Sequence, residues 1–385
     1  MSALMQVDLD HISRFCLVKT NEGHVVGTYP FVWLRDNCRC CECYHPTSRN
    51  RVITMADLDV DIVPVAADVI GETLNIKWPD GHLSPFPISW LKEFQFSNTI
   101  EDPVSAPVCQ LWGKEMKDKI PRFPFADVIS NDKSLYEWLE ALQIYGLAII
   151  TDGPKKPGAI LEIGKRVSFL KMTQYGETFQ LVSEFEARNL GFTPGKLAFH
   201  VDLPYTSNPA NIQMLHAIQQ PIGTGGESQF ADAVKVALDL KKKEPELFQI
   251  LATTPMDFRD TAPGKDFHLK YRGPIIELSP DGSIKGLRFN QMMRAPYMHI
   301  PLQDVHKAYK AIKTLNTMLY DDMVEVKIAP GEIGCFDNFR LVHARNSFTV
   351  TENSSRHMEG GYIDWDQARS RMRVIREKRL NLQPL

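Results

Sequence analysis

His200-Val201-Asp202 presents an imidazole and a carboxylate two residues apart. In extended chain such residues point to the same side. They make two-thirds of a facial triad of two histidines and one carboxylate. That arrangement suits Fe(II), because it leaves positions open for a co-substrate and dioxygen. Alone the pair is a weak motif and needs a second histidine on a facing strand. His343 is the candidate, 141 residues after Asp202. It follows Pro330-Gly-Glu-Ile-Gly-Cys-Phe-Asp-Asn338, which reads as a turn and a strand ending in polar residues. Arg356 comes 13 residues later. Its guanidinium fork is a natural partner for the distal carboxylate of a bound oxo-diacid. Singly, His343 reads as a satisfied core histidine and Arg356 as a surface ion-pair residue. The ordered set His-x-Asp, His, Arg is what points to a metal site.

Four of the seven cysteines, Cys38, Cys40, Cys41 and Cys43, fall within six residues. Thiolates are good ligands for tetrahedral zinc. Adjacent residues point apart, so the four do not comfortably wrap one ion. Three close thiolates and one distant ligand make a better site. His45 and His82 are the candidates for the distant one, and His82 sits after a turn in Trp78-Pro-Asp-Gly-His82, from which it can reach back. The expected set is Cys38, Cys40, Cys43 and His82, closed and therefore structural. A set of free buried thiols is the alternative.

Four aromatics lie around the first set: Tyr175, Phe179, Phe192 and Tyr362. If they converge they box a quaternary ammonium. Otherwise they are core.

The elements that must position these groups are short. Residues 1–100 read as a small β-rich, zinc-binding domain, with strands at Val25–Thr28, Asn50–Met55 and Thr73–Trp78. Pro103, Pro107, Pro121 and Pro124 mark 101–125 as a connector. Residues 126–385 read as the larger domain. Helices are expected at Asp132–Tyr145, with Gly146 as C′ residue, and at Ala159–Leu170, Ala231–Lys243, Gln303–Leu319 and Gln367–Leu380. Short β-type runs lie at Leu147–Ile150, Ile212–Leu215, Ile275–Leu278, Val324–Ile328 and Ile333–Phe336. The fold class is mainly β with flanking helices, an antiparallel sandwich or barrel and not a doubly wound sheet.

Composition narrows the partners. The 385 residues carry a net charge of −3, so no bulk basic field favours nucleic acid. No apolar run is long enough for a membrane span. Met1 to Ser13 shows neither an apolar signal core nor an Arg-rich amphipathic stretch, and an odd number of cysteines argues against a disulfide scaffold. A cytoplasmic protein is expected.

Several segments carry a resemblance. Phe31-Val-Trp-Leu-Arg-Asp-Asn-Cys38, the cysteine cluster, Trp78-Pro-Asp-Gly-His82, Thr193-Pro-Gly-Lys-Leu-Ala-Phe-His-Val-Asp202, Phe336-Asp-Asn-Phe-Arg-Leu-Val-His343 and Ser355-Arg-His-Met-Glu-Gly-Gly-Tyr-Ile-Asp-Trp365 occur in order over nearly the whole chain. Together they resemble the gamma-butyrobetaine dioxygenases, Fe(II)- and 2-oxoglutarate-dependent oxygenases related to taurine dioxygenase. Trimethyllysine dioxygenase is less similar. The resemblance implies a double-stranded β-helix (jelly-roll) catalytic domain, an N-terminal zinc domain and a homodimer. It implies His200, Asp202 and His343 as iron ligands and Arg356 on the far carboxylate of 2-oxoglutarate, with Ser228 helping. It also implies a trimethylammonium cage of Tyr175, Phe179, Phe192 and Tyr362, and Asn189 and Asn290 near the substrate carboxylate. The implied reaction is hydroxylation of gamma-butyrobetaine to L-carnitine with dioxygen, and ascorbate as reductant. The family cage usually has Trp at the position of Phe179 and Tyr at that of Phe192, which leaves the substrate open: another trimethylammonium metabolite is the first alternative. A non-catalytic scaffold and a zinc hydrolase are others.

Overall fold

The computed structural model describes residues 5–98, 102–105, 109–182, 194–221, 223–261, 266–349 and 356–380. It divides into two compact units, Met1–Asp102 and Pro103–Leu385.

The first unit holds two three-stranded antiparallel meanders. One joins Met5–Asp10, Phe15–Thr20 and Val25–Pro30; the other joins Ala66–Ile70, Thr73–Lys77 and Leu83–Pro87. Alternate residues point inward, so Cys16, Val18, Leu74, Ile76 and Phe86 build one core with Trp78 and Tyr29. Short helices Phe31–Asp36 and Ile88–Glu93 each start directly after a proline, whose fixed φ suits a helix entry. The strand expected over Asn50–Met55 shrinks to Asn50–Arg51, paired with Tyr44–His45. Beyond it the chain turns, with the Thr54 hydroxyl donating to Asp57, and no sheet is at hand to join.

The second unit stacks helices on the outer faces of two antiparallel-type sheets. The large sheet runs, in spatial order, Thr178–Val182, His357–Ile363, Ile212–Gln219, Ile333–Asp337, Leu147–Thr151 and Arg122–Pro124. The small sheet runs Leu197–His200, Leu341–Arg345, Ser228–Asp232 and Val324–Val326. This is the jelly-roll arrangement. Strands with both faces covered read as nearly continuous apolar runs. One face of the large sheet, with Ile212, Met214 and Cys335, packs on helices Asp132–Tyr145, Ala159–Val167 and Trp365–Leu380. One face of the small sheet, with Val342 and Ala344, packs on Ala233–Lys243, Pro245–Thr253 and Val305–Asp321. Between the sheets lie Leu215, Phe230, Phe336, Leu341 and Met358.

Helix Asp132–Tyr145 has the expected bounds. Asn131 caps its first turn by accepting from the Lys133 N–H, and Gly146 closes it at φ 71°, where only glycine is unstrained. The expected helices Gln303–Leu319 and Gln367–Leu380 are shifted to Val305–Asp321 and Trp365–Leu380, and two further helix ends differ for a tertiary reason. Ala231 and Asp232 finish a strand, and the helix begins at Ala233 with Asp232 as its cap. The helix from Ala159 ends at Val167, and Leu170 folds back into the core. The proline-marked stretch packs into this unit from Pro103 on. Trp112 and Met116 are buried, and Arg122–Pro124 adds a short parallel edge strand, the one place where a proline fits a sheet. Among the described residues no helix is long and apolar enough to cross a membrane.

Candidate active site

His200 ends its strand, and His343 sits at the middle of Leu341–Arg345, directly opposite it in the register. Their rings lie 4.1 Å apart, centroid to centroid. Asp202 follows two residues on, with one carboxylate oxygen 3.3 Å from His200 Nε2 and 4.0 Å from His343 Nε2. The three ligand atoms lie within 4.8 Å of one another. The ring of Phe336, reaching in from the large sheet, packs 4.8 Å from that of His343 and limits its rotation.

The large sheet supplies the other half. Gln213 and Tyr362 are cross-strand neighbours there. Both donate to the second Asp202 oxygen, Gln213 Nε2 at 2.7 Å and Tyr362 OH at 2.8 Å. Asn338 accepts from the Asp202 N–H at 2.7 Å and donates to the Asp202 and Ala210 carbonyls. One carboxylate oxygen is therefore held by the protein, and the other is turned toward the two imidazoles. Leu203, next in the chain, takes φ 54°. A non-glycine residue in that region costs of order 1–3 kcal/mol, held in place here by the Asn338 bracket.

Protonation states suit metal binding. Burial alone would raise the Asp202 carboxyl. The imidazoles of His200 and His343 beside it and the Tyr362 hydroxyl outweigh it and hold the group well below the usual carboxylate range. Burial, aided by His200, pushes His343 down to about 3, so it stays neutral. His200 Nδ1 lies 2.9 Å from the Ala198 carbonyl, which selects the tautomer with a free Nε2 lone pair.

Arg356 precedes strand His357–Ile363 and is only 4% exposed. Its Nε has no hydrogen-bond partner among the described residues. Burial, then the neighbouring Arg345, push its guanidinium down to about 9. A buried cation in that state is built for an incoming anion. Ser228, Arg345 and Arg356 line the same cavity as His200, Asp202 and His343, a space of about 840 Å³. These observations fit iron(II) held by the triad and an oxo-diacid reaching Arg356.

Three of the four expected cage residues are brought together at this cavity. Tyr175 and Phe179 lie 6.2 Å apart, Phe179 and Tyr362 5.5 Å. Phe179 stands opposite Gly360 in the register, and any Cβ at Gly360 would run into its ring. Part of the Glu-Gly-Gly-Tyr motif is thus room for an aromatic. Phe192 and Asn189 lie outside the described residues. Asn290 lines the cavity, but its Oδ1 accepts from Met292 and Met293 N–H and its Nδ2 donates to the Val201 carbonyl. It braces the Asp202 segment.

In the first unit, Cys38, Cys40 and Cys43 Sγ lie 3.3, 3.4 and 3.5 Å from His82 Nε2. Zinc–thiolate and zinc–imidazole bonds of about 2.3 and 2.0 Å in a tetrahedron give edges of this size. Cys41 is exposed and outside the group, and His45 is occupied with Ser48. Gln213, Asn338 and Arg345 escape sequence reasoning. The available signal is Gln213, which with His216 is a polar residue in an otherwise apolar buried strand.

Two packed sheets with paired histidines and a braced carboxylate between them define a jelly-roll oxygenase site. The chain belongs to the iron(II)- and 2-oxoglutarate-dependent taurine catabolism dioxygenase TauD, TfdA family, whose model matches residues 105–362. A second model, gamma-butyrobetaine hydroxylase-like, N-terminal, matches residues 10–92. The particular relatives are gamma-butyrobetaine dioxygenases. The human protein of that name is 37% identical over 357 residues, 91% of this chain and 92% of that one. The one from Pseudomonas sp. (strain AK-1) is 31% identical, covering 91% of each. Mouse mitochondrial trimethyllysine dioxygenase is 27% identical, covering 94% of this chain and 87% of that one.

Proposed function

We propose that the chain hydroxylates gamma-butyrobetaine to L-carnitine. The single observation that carries this reading is an aromatic box, Tyr175, Phe179 and Tyr362, in the same cavity as the His200–Asp202–His343 triad. The identity to gamma-butyrobetaine dioxygenases over most of the chain supports it.

Iron(II), when bound, supplies the dioxygen activation that couples decarboxylation of 2-oxoglutarate to hydroxylation. His200, Asp202 and His343 hold it from one side. Gln213 and Tyr362 keep Asp202 anionic and fixed. Arg356 and Ser228 orient 2-oxoglutarate by its far carboxylate. The box grips the trimethylammonium, and Asn290, with one amide hydrogen unused among the described residues, and Asn189 steer the other end. One carbon is then presented to the metal, so most of the protein's contribution is placement.

The test is succinate formation by anaerobically iron-loaded protein, with and without gamma-butyrobetaine, and product identification by mass spectrometry. Carnitine in step with succinate supports the reading. Succinate formed only with another trimethylammonium metabolite replaces the substrate and keeps the reaction; Phe179 in place of Trp is the observation that favours this second reading.

Two predictions arise here. Arg356→Gln should raise the KM for 2-oxoglutarate by about a hundredfold, since losing one partner of a buried charge pair costs about 2–5 kcal/mol. Initial rates against 2-oxoglutarate concentration measure it; an unchanged KM would remove Arg356 from the site. Phe179→Trp should lower the KM for a trimethylammonium substrate by about two- to fivefold, the equivalent of about 0.5–1 kcal/mol of cation–π attraction. A KM that rises would place Phe179 in packing alone.

The reading extends to zinc at Cys38, Cys40, Cys43 and His82, within an N-terminal domain of residues 1–100. It also takes ascorbate as reductant and a homodimer, supported by the family resemblance, and a cytoplasmic location. Metal analysis, ascorbate dependence of turnover, sedimentation and cell fractionation test these in turn.

A further inference from the structure

Among the described residues four acidic side chains are buried to nine-tenths or more: Asp232, Asp257, Asp260 and Glu359. A carboxylate withdrawn from water needs a cation or several donors. Three have a basic partner. Asp232 pairs with Arg340 at 2.7 Å. Asp257 pairs with Arg272 at 2.8 Å and His299 at 2.7 Å. Glu359 lies 3.7 Å from His216 and accepts from the Gly158 N–H. Asp260 differs. It is 6% exposed, and no Lys, Arg or His among the described residues lies within ion-pair distance. Its side chain accepts from Tyr175 OH at 3.0 Å.

Asp260 ends strand Met256–Asp260, which pairs with Leu269–Gly273. Its side chain lines the cavity that also holds Tyr175, Phe179 and Tyr362. We infer that Asp260 is the charge-selecting residue of this cavity, a carboxylate that no described cation compensates and that is kept for the cationic head group of the substrate. The inference rests on the proposed function and deepens it.

Two effects act together. The Asp260 charge attracts a cation through a medium of low dielectric. It also polarises the Tyr175 phenol, whose ring becomes richer in electrons as its hydroxyl donates, and whose face then holds a cation more strongly. A neutral head group of the same shape leaves Asp260 buried without a partner. The site therefore rejects the wrong ligand as well as holding the right one. This offsets the weaker attraction of Phe179 relative to Trp.

The test compares dissociation constants, by calorimetry on the anaerobic iron(II) and 2-oxoglutarate complex. The ligands are gamma-butyrobetaine, its isostere 5,5-dimethylhexanoate, which keeps the carboxylate but has a neutral head group with carbon in place of the nitrogen, and tetramethylammonium. The wild type is expected to prefer the betaine over the isostere by about tenfold or more, the scale of a desolvated charge interaction. Asp260→Asn should remove most of that preference, weakening both cations and leaving the isostere unchanged or tighter. Tyr175→Phe, which keeps the ring and drops the hydroxyl, should move the ratio the same way by less. Equal loss for betaine and isostere in Asp260→Asn would make the residue structural and overturn the inference. So would a wild type with no preference, which decides the matter even if Asp260→Asn fails to fold. Binding without carnitine formation would sink the proposed reaction and leave the selection intact. If only tetramethylammonium binds, and loses affinity in Asp260→Asn, the proposed substrate falls and the inference stands. If neither cation binds, the inference falls.

Discussion

His343→Ala is expected to abolish 2-oxoglutarate turnover and iron retention together while the fold survives. The imidazole is one of three ligand atoms converging within 4.8 Å. Two ligands from neighbouring positions, His200 and Asp202, cannot define a face of an octahedron without a third from another strand. Burial keeps the residue neutral, the state in which an imidazole ligates a metal. Alanine leaves a small polar gap beside Phe336 and Phe230, so the core keeps its main contacts. The graded control is Gln213→Leu. It removes one donor to Asp202 and leaves the three ligands, and such supporting partners typically contribute about 10–100-fold in affinity or activity. Equilibrium dialysis against iron(II) and succinate release measure both. Residual iron binding by His343→Ala at the wild-type level would show that another residue completes the site.

Removing zinc is expected to unfold the first unit. Cys38, Cys40 and Cys43 lie in one short loop, whereas His82 follows the strand Thr73–Lys77. The ion would close a loop of some forty residues, and the free chain must lose that freedom without it. Structural zinc contributes about 10–16 kcal/mol in small domains, as much as the whole net stability of a typical domain, about 5–15 kcal/mol. Cys38→Ser, or treatment with a strong chelator, should therefore expose the first hundred residues to limited proteolysis. Cys41→Ser should change neither zinc content nor protection, because Cys41 is exposed and outside the group. One equivalent of zinc by mass spectrometry, lost in Cys38→Ser and kept in Cys41→Ser, is the expected pattern. Full protection of the metal-free chain would show that the apolar core around Trp78 suffices alone.

Much of the site was legible because ligands leave local marks. His-x-Asp needs only extended chain to place two groups on one side, and that is a property of three residues. The cysteine cluster is legible for the same reason, with a Pro-Asp-Gly turn pointing to His82. The helix Asp132–Tyr145 could be read to its ends, since Asn131 and Gly146 are themselves the caps. Boundaries failed where a tertiary partner decided them. Ala231 and Asp232 have helical periodicity, but Val342 and Leu341 pair with them and hold them extended. The proline-marked stretch 101–125 looked like a connector because its buried Trp112 and its edge strand depend on partners far along the chain.

Residue types and their order were enough to nominate His200, Asp202, His343 and Arg356 as candidates, because metal and carboxylate chemistry admits few side chains. The supporting groups required the fold. Gln213 and Tyr362 meet at Asp202 only because their strands pair in one register, and a shift of one residue would turn both away. Phe179 serves the cavity only because Gly360 lies opposite. Asp260 stands out only when every other buried acid among the described residues is seen to have a basic partner. Register, facing and the absence of a counter-charge are relations between distant residues, and no local stretch of chain carries them.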